Sequence, residues 1–299
     1  MKNLSEYEYK LFKEFSRKLK PLSKTDYLNK IILFKSTLNN KNLLNININE
    51  SKQFIEYINN IYSKSTCEKI YSYLHSFYNF LVKENYIQNN PFSNINKPYV
   101  SRIKNKNDVL SLDELDKLIS IFPHLNERDK AIISFLISTG CLLNELISLK
   151  WKDLIVNNKT NYSCKIGSGK KERIVELPSY SWDLIMDYKD SIQVNSIDDF
   201  IFKSRNRNTI TDRNVRLIVK KALSLAGLSN YSAKDFRHSF ATFSLKSGIK
   251  DENLKEKLGW SDKNYATRYK YVINFVGSDN VDYIIDDDKS NIYKSKNNK

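Results

Sequence analysis

The sequence predicts a mainly α-helical protein with a small β-hairpin or sheet in its second half, an α+β fold built from two domains. Four observations support this prediction. Apolar residues recur at helical spacing through most of residues 1–96. A basic segment poor in hydrophobic residues follows at 97–109, and an alternating stretch surrounds a Gly-Ser-Gly turn at 167–169. The length of 299 residues suits two medium-sized domains.

The first domain is predicted over residues 1–96. Its apolar spacing predicts helices at 25–38 and 50–61, and a longer helix that is capped by Ser65 or Thr66 and runs through Val82. This last helix should stop before Asn89-Asn90-Pro91, because the residue before a proline avoids helical geometry. A compact four-helix unit is the natural way to bury these apolar faces.

The second domain is predicted over residues 110–275, after a linker at 97–109. Ser111 should cap its first helix, with Asp113 and Glu114 in the first turn, where the helix dipole favours acidic residues. Further elements are expected in chain order: a helix at 131–138, a hairpin at 165–178, and helices at 217–226 and 235–246. The tail at 276–299, with an acidic run and a Lys/Asn-rich end, is expected to be frayed or to dock on a partner.

The charge balance favours a polyanionic partner. Lys and Arg number 49 against 34 Asp and Glu, which gives a formal charge of +15 at pH 7. Nucleic acid is the usual partner of such a protein. The alternative is a Lys/Asn/Ile-rich composition inherited from an AT-rich genome, with no meaning for binding.

The cysteines and histidines exclude several other classes of protein. Three cysteines, far apart, form no CxxC pair, which favours a reducing compartment. None of the three histidines pairs with a cysteine at metal-ligand spacing, and no Gly-rich phosphate loop supports nucleotide hydrolysis. No apolar run approaches the roughly 20 residues needed to span a bilayer. We therefore expect a cytoplasmic protein that uses neither a metal nor a small-molecule cofactor.

The most informative stretch is Lys234-Asp-Phe-Arg-His-Ser-Phe-Ala-Thr242, followed by Leu258-Gly-Trp260 and then by Tyr269. It joins an Arg-His pair on a predicted helix to a tyrosine nine residues after a tryptophan. This order resembles the catalytic half of the tyrosine recombinase or phage integrase family, and of its Xer-like members in particular. The resemblance covers nearly the whole chain and is most specific from 139 to 272.

The resemblance implies both architecture and activity. Residues 1–96 would form a helical, SAM-like core-binding domain on DNA, and residues 110–275 the catalytic domain. The protein would be a site-specific recombinase that cuts and rejoins double-stranded DNA through a 3′-phosphotyrosyl intermediate. It would work without a metal, as a homo- or hetero-tetramer on paired DNA sites.

Tyr269 is the expected nucleophile, and Arg237 is the expected phosphate clamp, because a guanidinium can bind two phosphate oxygens at once. The simpler interpretation of Tyr269 is an apolar helical stripe with Tyr265 and Val272. The simpler interpretation of Arg237 is a surface ion pair.

Four more residues match functional positions of the family. Lys234 lies one helical turn before Arg237, at a position where the family usually has His and sometimes Lys. A lysine at this position can still donate a hydrogen bond, so the role that the family implies is kept. His238 fits a structural hydrogen bond as readily as a catalytic task. Trp260 takes a place filled by His or Trp, where an indole N–H can donate to phosphate, although core packing explains it nearly as well. Glu145 matches an acid that orients its neighbours.

Two positions depart from the family pattern. In the box Thr139-Gly-Cys-Leu-Leu-Asn-Glu-Leu146, Leu142 stands where the family has an arginine, and in the hairpin Ser168 stands where it has a lysine. Losing one preorganised donor to the phosphate typically costs roughly 3–4 kcal/mol of transition-state stabilisation. Residues proposed to compensate are Lys170, Lys171 and Arg173. We therefore expect attenuated cleavage; the alternative is a non-cleaving DNA-binding protein, structural or regulatory, on a degenerate recombinase fold.

Overall fold

The computed structural model of the chain describes residues 4–98, 108–159, 161–204, 209–269 and 272. The chain divides into two compact units, 1–101 and 102–299. Most of the predicted linker and the whole predicted tail lie outside the described residues. The predicted fold class is confirmed: the described part is mostly helical and has a small antiparallel sheet. No helix in this part of the chain is long and apolar enough to cross a membrane.

Within residues 4–98 the first unit contains four α-helices, α1 Glu6–Phe15, α2 Pro21–Thr37, α3 Ile48–Ile61 and α4 Lys64–Lys83. Residues at the start of each helix determine where it begins. Reciprocal side-chain caps, Ser5 with Glu8 and Asn47 with Glu50, begin α1 and α3. Pro21 begins α2, where its fixed φ is already helical and its missing N–H costs no hydrogen bond.

The predicted cap of the long helix α4 is wrong. Ser63 holds that position, with extended backbone angles, and its hydroxyl accepts the N–H of Thr66 at 3.4 Å. Ser65 and Thr66 lie inside the first turn instead. The helix ends at Lys83, which agrees with the prediction of a helix that runs through Val82 and stops before Asn89; Asn85, just beyond its end, adopts a left-handed conformation with φ 60°.

The core of the first unit is rich in aromatic rings. Phe34, Phe54 and Tyr78 are fully buried, and Phe34 meets the other two rings edge-on. Beside this core, the carboxylate of Glu8 pairs with the buried ammonium of Lys35 and accepts the N–H of Leu43 at 3.0 Å. This buried pair fixes α1 against α2.

The second unit contains seven α-helices and three strands among its described residues. In chain order they are α5 Leu112–Ser120, α6 Glu127–Thr139, α7 Leu143–Ile147, β1 Leu154–Val156, β2 Tyr162–Ile166, β3 Arg173–Leu177, α8 Ser179–Asp190, α9 Asp212–Leu225, α10 Ala233–Lys246 and α11 Asp251–Leu258. The strands form one antiparallel sheet in the order β1-β2-β3, with Cys164 opposite both Leu154 and Val175. A 3₁₀ segment, Lys263–Tyr269, follows α11.

Helix α6 is the centre of this unit. Its residues from Ala131 to Thr139 are all buried, and it contacts α8, α10 and β3. It ends at Gly140, which has φ 58°; a Cβ there would lie 2.8 Å from the ring of Phe240 on α10. Glycine therefore provides both the left-handed turn and the close approach of α6 to α10.

The predicted cap at Ser111, the hairpin, and the helices now identified as α6, α9 and α10 are confirmed, with helix starts several residues earlier in α6 and α9. Strand β1 was not predicted. Its three residues are too few to show an alternating pattern, and it is recognisable only by its pairing with β2.

Candidate active site

Helix α10 presents the central residues of the predicted motif. Asp235 is buried and turned back to the start of the helix, where it accepts the N–H and the hydroxyl of Ser232, both at 2.8 Å. Lys234 is exposed, whereas Arg237 and His238 are half-buried. The helix therefore directs an arginine and an imidazole toward α6, α11 and the 3₁₀ segment.

Arg237 is held by main-chain oxygen atoms. Its Nη1 donates to the carbonyl of Gly140 at 2.7 Å, and its Nη2 donates to the carbonyl of Leu258 at 2.6 Å. Burial lowers the pKa of Arg237; the charge of Glu145 opposes this shift and that of Arg173 adds to it. A guanidinium remains protonated in proteins all the same, so a fixed positive charge sits between the ends of α6 and α11.

Tyr269 points its hydroxyl at His238. The Tyr269 Oη and the His238 Nδ1 are 2.8 Å apart, and the tyrosine is only 5% exposed. Burial raises the pKa of Tyr269 to about 12, while Arg237 and Arg268 oppose that shift. The phenol is therefore protonated at neutral pH, and its proton lies within reach of an imidazole.

Trp260 fixes the plane of the tyrosine ring. The two rings stack with their planes 6° apart and their centroids 5.8 Å apart, and Tyr265 tilts against the same indole. Tyr269 also packs with buried Leu254 and Leu258 of α11. The apolar-stripe interpretation thus describes the ring of Tyr269 correctly, but its hydroxyl is engaged with a titratable group.

Glu145 and Arg173 join three elements around this site. The Arg173 Nη1 and Nη2 donate to the two carboxylate oxygens of Glu145 at 2.7 and 3.0 Å, and its Nε donates to the carbonyl of Lys257 at 2.7 Å. Glu145 also accepts the N–H of Leu142 at 2.8 Å. The pair therefore connects α7 and β3 to the end of α11, and all three nitrogens of the guanidinium are engaged.

The two positions that depart from the family pattern face solvent. Leu142 lies at the start of α7 and is 45% exposed. Ser168, Lys170 and Lys171 are all exposed on the turn between β2 and β3. The structure thus brings Arg237, His238, Trp260, Tyr269, Glu145 and Arg173 into one region of the second unit, while the hairpin lysines lie on the surface. Within the described residues, no cluster of His, Cys, Asp or Glu is arranged to hold a metal ion.

Sequence reasoning missed the main-chain carbonyls of Gly140, Lys257 and Leu258, which position both arginines. Every residue has a carbonyl, so no residue type marks one as functional. The available signal was indirect: Gly140 and Gly259 end α6 and α11 in left-handed turns, and a helix end leaves carbonyl groups without intrahelical partners.

Comparison with known proteins gives matches in both sequence and structure. The phage integrase family model matches residues 108–273. Tyrosine recombinase XerD of Oceanobacillus iheyensis is 33% identical over 218 residues, covering 70% of this chain and 72% of that protein.

Two solved structures share the fold. The XerH site-specific recombinase bound to palindromic difH substrate, in a post-cleavage complex, superposes with a TM-score of 0.72 at 23% identity, over 84% of this chain and 76% of that one. A λ integrase tetramer bound to a Holliday junction superposes with a TM-score of 0.64 at 16% identity, over 86% and 78%.

Proposed function

Because this chain belongs to the phage integrase family of tyrosine recombinases, which cleave and rejoin DNA strands, we propose that Tyr269 is its nucleophile in site-specific recombination. The observation that carries the proposal is the 2.8 Å contact between the Tyr269 hydroxyl and His238, beside the anchored guanidinium of Arg237. A protonated phenol next to a proton acceptor and a fixed cation is the arrangement that attack on a phosphodiester requires.

The chemistry follows from these groups. The Tyr269 oxygen attacks phosphorus; a bond from this oxygen to phosphorus forms while the bond from phosphorus to the 5′ oxygen breaks. The product is a 3′-phosphotyrosyl link, which keeps the energy of the broken bond, so that a 5′ hydroxyl can later attack and rejoin a strand. Arg237 stabilises the charge that develops on the phosphoryl oxygens.

The remaining site residues have supporting roles in this proposal. Lys234, exposed one turn before His238, donates to the phosphate, and the exposed Lys170 and Lys171 of the hairpin turn approach bound DNA. Trp260 holds the ring of Tyr269 by stacking. Glu145 and Arg173 position α7 and α11, because their donors and acceptors are already used within the protein.

Leu142 lowers the rate of cleavage in this proposal. A leucine side chain offers neither a charge nor a donor to a phosphoryl oxygen. The loss of one such donor corresponds to roughly a hundred- to a thousand-fold in rate. Ser168 removes a further cation. The site is thus an attenuated recombinase centre, in which His238 and Arg237 remain well placed.

The proposed partner is double-stranded DNA, bound by several protomers. The net charge of +15 supports this, with lysine and arginine contacts to phosphate providing salt-dependent affinity. Recombination joins two sites, so a homo- or hetero-tetramer is proposed, by analogy with the λ integrase tetramer on its junction. In a mixed assembly, an active partner would cut while this chain supplies mainly architecture. A cytoplasmic location agrees with the three free, buried cysteines.

The test is covalent capture of DNA. The native protein and Tyr269→Phe are each incubated with host genomic DNA, the mixture is denatured, and the DNA that stays attached to protein is sequenced. Tyr265→Phe is the matched control, because it removes a hydroxyl from the other tyrosine beside Trp260. We expect adducts at a recurring site with the native protein and with the control, and none with Tyr269→Phe.

The second candidate function is a DNA-binding protein without cleavage, which the exposed Leu142 favours. It predicts no adduct from any variant, with native pulldown still enriching a recurring DNA site. Binding that is absent, or that does not weaken with salt, contradicts both functions.

A further inference from the structure

The contact between His238 and Tyr269 assigns the histidine a specific task. We propose that His238 takes the phenolic proton of Tyr269 when DNA is cleaved and returns it when the strand is rejoined. This inference rests on the proposed function. It deepens that function by naming the proton acceptor, at a position one helical turn beyond Lys234.

Tyr269 needs a proton acceptor because its hydroxyl is buried, and burial raises the pKa of the phenol. With a pKa of about 12, roughly one phenol in 10⁵ is ionised at pH 7. A phenolate formed in advance is therefore too rare to be the working nucleophile. A base within hydrogen-bond distance removes the proton as the bond to phosphorus forms, and His238 Nδ1 is at 2.8 Å.

The charged groups around this pair leave His238 as the fitting base. On α10, Lys234 and Arg237 are cations with no acceptor atom. On the 3₁₀ segment, Arg268 acts on Tyr269 through its positive charge. Asp108, which precedes α5 in the chain, acts through its negative charge in the opposite direction. Glu145 and Asp235 are engaged by Arg173 and Ser232. The imidazole is the titratable ring that contacts the phenol directly.

The proton balance is complete with this assignment. In the resting state the proton on the imidazole is at Nε2, and the Tyr269 hydroxyl donates to the Nδ1 lone pair. As the tyrosine oxygen bonds to phosphorus, its proton moves to Nδ1; the departing 5′ oxygen takes a proton from water or from a lysine of the hairpin turn. In the reverse step the attacking 5′ hydroxyl gives its proton to water or to the same lysine, while the phenolate leaves and regains its proton from the imidazolium.

This transfer also supplies a charge that the site otherwise lacks. Protonated His238 is a cation beside the reacting group, and it exists only once the phenol has lost its proton. It therefore favours the transition state over the ground state, which is the condition for acceleration. Leu142 has removed a permanent cation from this centre, and the imidazolium is a transient one in the same region.

The first test needs no DNA. Nitrogen NMR of the imidazole rings is simple here, because the sequence contains only His75, His124 and His238. We expect His238 to be protonated at Nε2 and to accept at Nδ1 near neutral pH, with a clear Nδ1 shift in Tyr269→Phe. His75, whose Nδ1 lies 3.1 Å from the Asn79 amide nitrogen, is the internal reference. A proton found on Nδ1 of His238 would overturn the proposal, whatever the protein does to DNA.

The second test uses a synthetic duplex of the site recovered by covalent capture. His238→Asn places an oxygen near the position of Nδ1 that accepts a hydrogen bond but takes no proton. We expect both His238→Asn and His238→Ala to lower the rate of adduct formation about 10²- to 10⁴-fold. Free imidazole should restore part of the rate to His238→Ala and none to His238→Asn. The exposed His124→Ala is the matched control and should react like the native protein.

A duplex with sulfur in place of the bridging 5′ oxygen distinguishes the loss of a general base from the loss of a general acid. A thiolate leaves without being protonated, so a variant that has lost its acid is rescued, and one that has lost its base is not. We expect no rescue of His238→Asn. Rescue by sulfur, or native rates in His238→Asn, would overturn the proposal. A native protein that forms no adduct would instead refute the proposed function, and the NMR result would still decide whether His238 accepts from Tyr269.

Discussion

Glu145 and Arg173 form a bidentate ion pair in which both side chains are only 9% exposed. Their remaining hydrogen-bonding groups are also satisfied, by the N–H of Leu142 and by the carbonyl of Lys257. The pair thus joins α7, a short helix whose first-turn Glu145 caps its own start, to a strand and to the end of α11. It holds these three elements together beside the proposed site.

Breaking this pair should destabilise the second unit. Arg173→Met leaves the buried Glu145 carboxylate without its cationic partner, which typically costs about 3–5 kcal/mol. Arg173→Lys should recover only part of this, because an ammonium cannot reproduce the two parallel bonds and the third bond to Lys257. Denaturant unfolding of the two variants and of Glu145→Gln measures the effect. Unchanged unfolding midpoints would show that the pair contributes nothing to stability.

Restoring an arginine at position 142 should accelerate cleavage. The side chain of Leu142 is 45% exposed at the start of α7, so Leu142→Arg can be accommodated without repacking the core. We expect adduct formation to rise by about a hundred- to a thousand-fold. Leu142→Met, of similar volume and without charge, is the control and should change nothing. The absence of any gain from the arginine would mean that the surrounding site has been rebuilt.

The left-handed turn at Gly259 should tolerate no side chain. A Cβ there would lie 2.7 Å from Nη1 of Arg173, in addition to the strain of φ 62°. Gly227 has φ 74° and open space around it, so Gly227→Ala reports the backbone strain alone, about 1–2 kcal/mol. We expect Gly259→Ala to unfold more easily than Gly227→Ala and to form less adduct. Equal stabilities would show that Arg173 moves aside without cost.

The buried pair of Glu8 and Lys35 should make the first unit sensitive to acid. Burial alone would raise the pKa of Glu8, but Lys35 and the N–H groups of Leu43 and Ser5 lower it overall. A lowered carboxyl pKa stabilises the fold above the unfolded value, about 4.5, and this contribution disappears as the pH falls through the folded pKa.

Unfolding measured between pH 7 and pH 3 tests this dependence. We expect the native chain to lose stability more steeply at low pH than the double variant Glu8→Gln with Lys35→Met. Lys35→Met alone should be the least stable at pH 7, because it leaves a buried charge unpaired. Parallel pH profiles for the native chain and the double variant would contradict the assignment.

Local rules predicted those parts of the fold that depend on nearby residues. The cap at Ser111 with Glu114 and the hairpin around Gly167 were predicted because each is decided within a few positions of the chain. Strand β1 was missed because its stability comes from its neighbour. The cap of α4 was misplaced because three hydroxyl residues stand close together, and only the backbone at Ser63 decides among them.

For the site, too, the sequence predicted some residues but not the contacts between them. The order of residues pointed to Tyr269 and to Arg237, but nothing local connects Tyr269 to His238, 31 positions earlier in the chain. Arg173 was proposed as a substitute cation for phosphate. Its bonds to Glu145 and Lys257 depend on how β3, α7 and α11 come together, which no spacing reveals.

The anchoring of Arg237 by carbonyl oxygens has an evolutionary consequence. The oxygen atoms of Gly140 and Leu258 belong to the peptide chain, so point mutations at neighbouring positions leave the acceptors in place. Insertions or deletions near the ends of α6 and α11 would displace them. A lineage can therefore accumulate substitutions such as the leucine at 142 while the guanidinium keeps its place, and a single codon change is enough to return to a fuller set of cations.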